Sequence, residues 1–66
     1  MRVSLNGLNK EFTSGINLDK IIEPISHNNS RIIAEVNGRI VKSTDWAQTV
    51  IGEGDLIELV SFVGGG

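Results

Sequence analysis

The chain closes on Phe62-Val63-Gly64-Gly65-Gly66, and the α-carboxylate of Gly66 is the group best placed to do chemistry. Glycine has no Cβ and packs nothing, so three in succession add nothing to a core. What they form is a thin arm. At roughly 3.3 to 3.6 Å per extended residue, this arm carries a carboxylate about 10 Å beyond the preceding strand, into a channel too narrow for a side chain. By themselves the glycines fit a frayed terminus or a linker as well as a working group, because chain ends are where order is commonly lost.

Other residues offer little to a reaction. There is no cysteine and a single histidine, His27. Disulfides, iron–sulfur clusters, thiol catalysis and Cys/His zinc sites are therefore excluded within one chain, and no metal is expected. No acid–base pair or nucleophile has an evident partner, and so small a domain has little room for a pocket. The chain is not expected to be an enzyme or to bind a cofactor of its own. His27 is read as a solvated residue near a helix C-terminus, where the dipole favours it.

Composition narrows the partners. Six basic residues against eight acidic ones give a net charge of -2, and Phe12, Trp46 and Phe62 are the only aromatics. Binding to nucleic acid through phosphate neutralisation is not expected. No apolar run approaches the ~20 residues that span a bilayer, and Met1-Arg2-Val3-Ser4 opens a strand pattern rather than a signal peptide. No membrane association is expected, and the expected compartment is the cytoplasm. The 66 residues make one domain, and a chain of that size buries only about 60% of the surface its unfolded form exposes.

The elements that must position the arm follow from periodicity. Met1, Val3 and Leu5 alternate with Arg2 and Ser4, the pattern of a strand with one buried face. Asn6-Gly7 suits a type I′ turn, so Leu8 to Thr13 is expected to return antiparallel with Leu8 and Phe12 facing inward. From Leu18 the period changes. Leu18, Ile21, Ile22 and Ile25 form the stripe of an amphipathic helix, with Asn17 expected as its N-cap and Asp19 at the positive end of its dipole. Pro24 is expected to kink or loosen this helix near Lys20, and the helix to end by His27.

Arg31 to Val36 is expected as a third strand, with Ile32, Ala34 and Val36 on one face and Ile33 and Glu35 on the other. A second Asn-Gly, Asn37-Gly38, turns it into Arg39 to Lys42. Ser43 or Thr44 is expected to cap one helical turn, and Trp46 to cover the bottom of the core. Gly52-Glu53-Gly54-Asp55 makes a tight turn into a last strand, Leu56 to Val63. Hairpin, helix, then strands means an α+β layer: a mixed five-stranded sheet with one helix on one face. The first and last strands are expected to lie parallel in its middle, which is the β-grasp arrangement. In the last strand Glu58 is hard to bury unpaired, so Ile57 and Leu59 are assigned to the core and Val60 and Phe62 to the open face. Exposed apolar side chains beside the glycine arm then form a docking patch, with Glu58 and Val63 at its margins.

These features together carry a resemblance. Met1-Arg2-Val3-Ser4-Leu5-Asn6-Gly7, Val36-Asn37-Gly38-Arg39-Ile40-Val41, Trp46-Ala47-Gln48, Gly54-Asp55-Leu56-Ile57-Glu58 and the Gly-Gly end make the chain similar to the ubiquitin-like sulfur carrier proteins. It most resembles their ThiS-type branch, which serves thiamine biosynthesis. The resemblance implies a β-grasp domain over residues 1–63 and a flexible tail over residues 64–66. It implies that an E1-like adenylating enzyme uses ATP to convert the Gly66 carboxylate to an acyl adenylate. Sulfur from a persulfide, such as that of a cysteine desulfurase, then displaces AMP to leave a thiocarboxylate, which delivers its sulfur to thiazole synthase. Gly65 and Gly66 are the threaded residues under this resemblance, and Gly64 is the hinge. A sister branch serving molybdopterin or another thiolation pathway, and a ubiquitin-like modifier, share such a tail. The free chain is expected to be a monomer.

Overall fold

The computed structural model describes residues 1–26 and 30–63, and for Ser30, Phe62 and Val63 it describes the main chain alone. Five strands form one mixed sheet: β1 (Arg2–Leu5), β2 (Leu8–Glu11), β3 (Ser30–Val36), β4 (Arg39–Val41) and β5 (Leu56–Val63). A helix, α1 (Leu18–Ile22), and a 3₁₀ turn over Ser43–Gln48 complete the elements. The spatial order is β2-β1-β5-β3-β4. β1 and β5 run parallel at the centre, and every other neighbouring pair is antiparallel.

Both Asn-Gly turns take the positive φ that a type I′ hairpin requires, 51° at Asn6 and 53° at Asn37, each followed by glycine at 83° or 84°. These turns set the registers of the two hairpins, and one side of β1, β3 and β5 lies against the helix. Val3, Leu5, Ala34 and Ile57 from the sheet meet Leu18, Ile21 and Ile22 from α1, and Ile51 fills the remaining space. The segment after the 3₁₀ turn is tied to the start of the helix: Leu18 N–H donates to Thr49 O at 2.8 Å, and Ile51 N–H donates to Ile16 O at 2.9 Å. Trp46 packs against the core and donates its indole N–H to Val41 O at 2.9 Å. It covers the core as its size and sequence position suggest.

Four local expectations are corrected. The helix is not kinked near Lys20; it stops at Ile22, with Glu23 as C-cap, so Pro24 falls in the turn beyond it and Ile25 is exposed. The lost N–H of proline is avoided by ending the helix first. Asn17 occupies the N-cap position with φ -90° and ψ 155° but makes no side-chain cap bond; its amide donates to Ala47 O at 2.7 Å. Lys42, rather than Ser43 or Thr44, precedes the 3₁₀ turn as its cap residue. Leu8 shares the inner face with Leu5 but lies on the outermost strand, beyond the reach of α1, and is 64% exposed. Phe12 does pack against the core, just after β2 ends. His27, with Asn28 and Asn29, lies outside the described residues.

Candidate functional site

β5 is the element that carries the glycine arm, and its alternation divides the sheet as the burial cost of Glu58 requires. Ile57 is 1% exposed and Leu59 packs against the core, while Leu56, Glu58 and Val60 face away from the helix and are exposed. Directly opposed residues of paired strands share a face. Ile33 of β3 is therefore the neighbour of Val60, and Glu35 is the neighbour of Glu58. Ile40 stands opposite Glu35 on β4 and extends the same face. Val60 at 58% exposure, Ile33 at 43%, Leu56 and Ile40 make an apolar patch around a pair of carboxylates. Like charges directly opposite destabilise a ladder, and among the described residues no cation stands within ion-pair distance of either glutamate.

The start of β5 is held from both flanks by the two hairpin turns. Asn37 Oδ1 accepts the Leu56 N–H at 3.0 Å, and Asn37 Nδ2 donates to Asp55 Oδ1 at 3.0 Å. On the other flank Asn6 N–H donates to Ile57 O at 2.9 Å, and Asn6 Oδ1 accepts the Leu59 N–H at 2.7 Å. The tight turn before β5 is closed by Asp55, whose Oδ2 accepts Gly52 N–H at 2.7 Å, and Gly54 N–H donates to Arg2 O at 2.8 Å. These contacts fix where the strand begins and hence the line along which it runs to Val63.

Of the residues assigned to docking, Glu58 and Val60 stand on the open face beside one another's strand neighbours. Phe62 and Val63 belong to β5, opposite Arg31 and Ser30, and their side chains lie outside what is described. Gly64, Gly65 and Gly66 lie outside the described residues. Ile33, Leu56 and Ile40 were not assigned to the patch from sequence, although the signal was present. Ile33 falls on the opposite phase from Ile32, Ala34 and Val36, and only the register of β3 on β5 reveals its neighbour. Among the described residues no cluster of His, Asp or Glu has metal-binding geometry, and no helix is long and apolar enough to cross a membrane.

The sequence model of the ThiS family matches residues 3–66, from the first strand through the last glycine. The chain belongs to the ThiS family. Its fold is that of a crystal structure of the ThiS thiamine biosynthesis protein of Geobacter metallireducens, with a TM-score of 0.81 at 21% identity and all of both chains covered. A solution structure of a thiamine biosynthesis protein from the same organism agrees, with a TM-score of 0.77 at 22% identity over all of this chain and 88% of the other. Among curated proteins, a thiazole synthase of Paramagnetospirillum magneticum is 27% identical over all 66 residues, which amount to 20% of its own length. The ycf40 protein of Trieres chinensis, which has no assigned function, is 34% identical over 94% of this chain and 85% of its own. This ThiS-family chain thus spans about a fifth of the length of the first of these relatives and most of the second.

Proposed function

We propose that this chain is a sulfur carrier of thiamine biosynthesis and that the Gly66 carboxyl group bears the sulfur. The observation that carries the reading is the ThiS family match, which runs without a break from the β-grasp domain into the glycine end. The thiazole synthase of P. magneticum adds support for the destination, because a segment like this chain accounts for a fifth of that protein.

The chemistry follows from what a carboxylate lacks. Its negative charge repels nucleophiles, and adenylation removes that charge while supplying a leaving group. An E1-like enzyme would join the Gly66 carboxylate to AMP from ATP with release of pyrophosphate. A persulfide sulfur then attacks the acyl carbon and expels AMP, and a thiol splits the remaining sulfur–sulfur bond to leave the thiocarboxylate. Thiazole synthase takes the sulfur from there. The chain itself supplies no catalytic side chain. It supplies a docking face and a strand that aims a slim arm, so that the reacting carbon arrives in line. Moderate affinity for each partner is expected, since ordering the arm opposes binding.

Incubation with the cognate adenylating enzyme, ATP and a persulfide donor should raise the intact mass by about 16 Da, the replacement of oxygen by sulfur at an activated acyl group. Addition of thiazole synthase and its substrates should then return the mass to its starting value. A chain that gains no mass, or that is recovered joined to lysine, rules out the carrier function; a thiocarboxylate that thiazole synthase leaves untouched assigns the carrier to another thiolation pathway.

A further inference from the structure

The two flanks of β5 are unequal. Towards β3 the strand is paired along Ile57 to Val63, whereas towards β1 the register holds only Leu56 and Ile57, because β1 ends at Leu5 and turns away at Gly7. Asn6 prolongs that flank by one position, its side-chain oxygen taking the Leu59 N–H where a main-chain carbonyl would stand. Beyond it that flank makes no further strand pairing among the described residues. The bonds of Ile57 O and Leu59 N–H to Asn6 show that odd-numbered residues of β5 direct their main-chain groups towards β1, while Leu56 directs its groups to Asn37 on the β3 side. Leu59 C=O and Ser61 N–H and C=O therefore point to the open flank and have no partner among the described residues.

Unpaired strand edges invite an added strand, and proteins commonly blunt them with charges, prolines or bulges. The outer edges of this sheet follow that rule: β2 carries Lys10 and Glu11, and β4 is three residues long with Arg39 at its start. The open stretch of β5, Leu59-Val60-Ser61, carries no charge and no proline. It also lies immediately before the arm. Three residues reach only about 10 Å, so an enzyme that takes Gly66 into its active site must bring its surface against the end of β5.

We infer that the open flank of β5, at Leu59 C=O and Ser61 N–H and C=O, accepts an extended segment of the activating enzyme as an added strand, which continues the sheet up to the arm. The inference rests on the carrier function proposed above. Strand addition supplies main-chain hydrogen bonds independent of side-chain identity. It also holds the last residues before the arm extended, which directs the arm into the active site without a preformed tail.

Amide hydrogen exchange followed by NMR tests this on the labelled full chain, free and in complex with the activating enzyme. The Ser61 N–H should exchange fast in the free chain and slow at least tenfold in the complex; the Val60 N–H, on the β3 side, should be protected in both. Ser61→Pro removes the donor without touching the β3 ladder, since proline is tolerated where the N–H faces outward. It should weaken binding about three- to tenfold, the effect of one net hydrogen bond, while Ser61→Ala, which keeps the N–H, should bind like wild type. A Ser61 N–H that exchanges equally fast in the complex overturns the inference and leaves the carrier function standing. Protection of Ser61 in the free chain that grows with concentration also overturns it, assigning the edge to a second copy. A wild-type chain that neither binds nor gains about 16 Da removes both, since the acyl activation itself is then missing.

Discussion

Asn6 Oδ1 accepts the Leu59 N–H at 2.7 Å, so a turn residue completes a ladder that its own strand is too short to reach. Asn37 performs a related task on the other flank, but its amide nitrogen also donates to Asp55 Oδ1. The two Asn-Gly turns look alike in sequence and differ in what they need from the side chain. Asn6→Asp keeps an acceptor for Leu59 and should change stability by less than about 0.5 kcal/mol. Asn37→Asp places a carboxylate against Asp55 and removes a donor, and should cost about 1–3 kcal/mol. Urea denaturation of both variants checks the contrast; equal losses would show that the Asp55 contact is unimportant.

Glu35 and Glu58 stand directly opposite one another across the β3–β5 ladder. Glu58→Gln relieves a like-charge contact across the ladder and should stabilise the free chain by roughly 0.2–1 kcal/mol. If the open face is the docking surface, the same change should weaken the complex with the activating enzyme. Thermal melts and titration calorimetry on one preparation give both numbers, and a variant that is less stable than wild type contradicts the assigned face geometry.

Val60→Ser and Ile33→Ser test the apolar patch without disturbing the core, since both residues are about half exposed. Each should leave the melting temperature within a few degrees of wild type and lower affinity for the activating enzyme by about tenfold, as expected for loss of apolar contact in an interface. Ile57→Ala on the buried face of the same strand should instead cost about 2–5 kcal/mol of stability. Three residues apart along β5, Ile57 and Val60 stand on opposite faces and thus separate folding from binding.

Deletion of Gly66 should leave thermal stability unchanged and abolish the gain of about 16 Da, because the glycines contribute no packing while the acyl chemistry requires the last of them in place. Intact-mass spectrometry and a melt on the same sample check it. A large fall in melting temperature would mean that the arm is part of the fold.

Most of the architecture was legible because its signals are local. The Asn-Gly dipeptides fix two hairpins through φ alone, and the phase of Ile57 and Leu59 against Glu58 orients the central strand. What could not be read depends on tertiary competition. Asn17 has the chemistry of an N-cap, but Ala47 O lies within reach of its amide only after the 3₁₀ turn has packed beside the helix. Leu8 has the right phase for burial and lies on a strand that the short helix does not cover. The neighbours of Val60 required the register of β3, which no single strand encodes. The glycine end was visible as a feature and ambiguous as a function until the surrounding strand pattern supplied its context.

The unequal flanks of β5 have a mechanical consequence. A tug on the C-terminal end of β5, directed along the strand axis, loads the antiparallel pairs with β3 together in shear instead of opening them one after another. A partner that closes, turns or withdraws while gripping the end of this chain would therefore pull on a row of bonds that share the load, and the domain would move as a body before the strand peeled away.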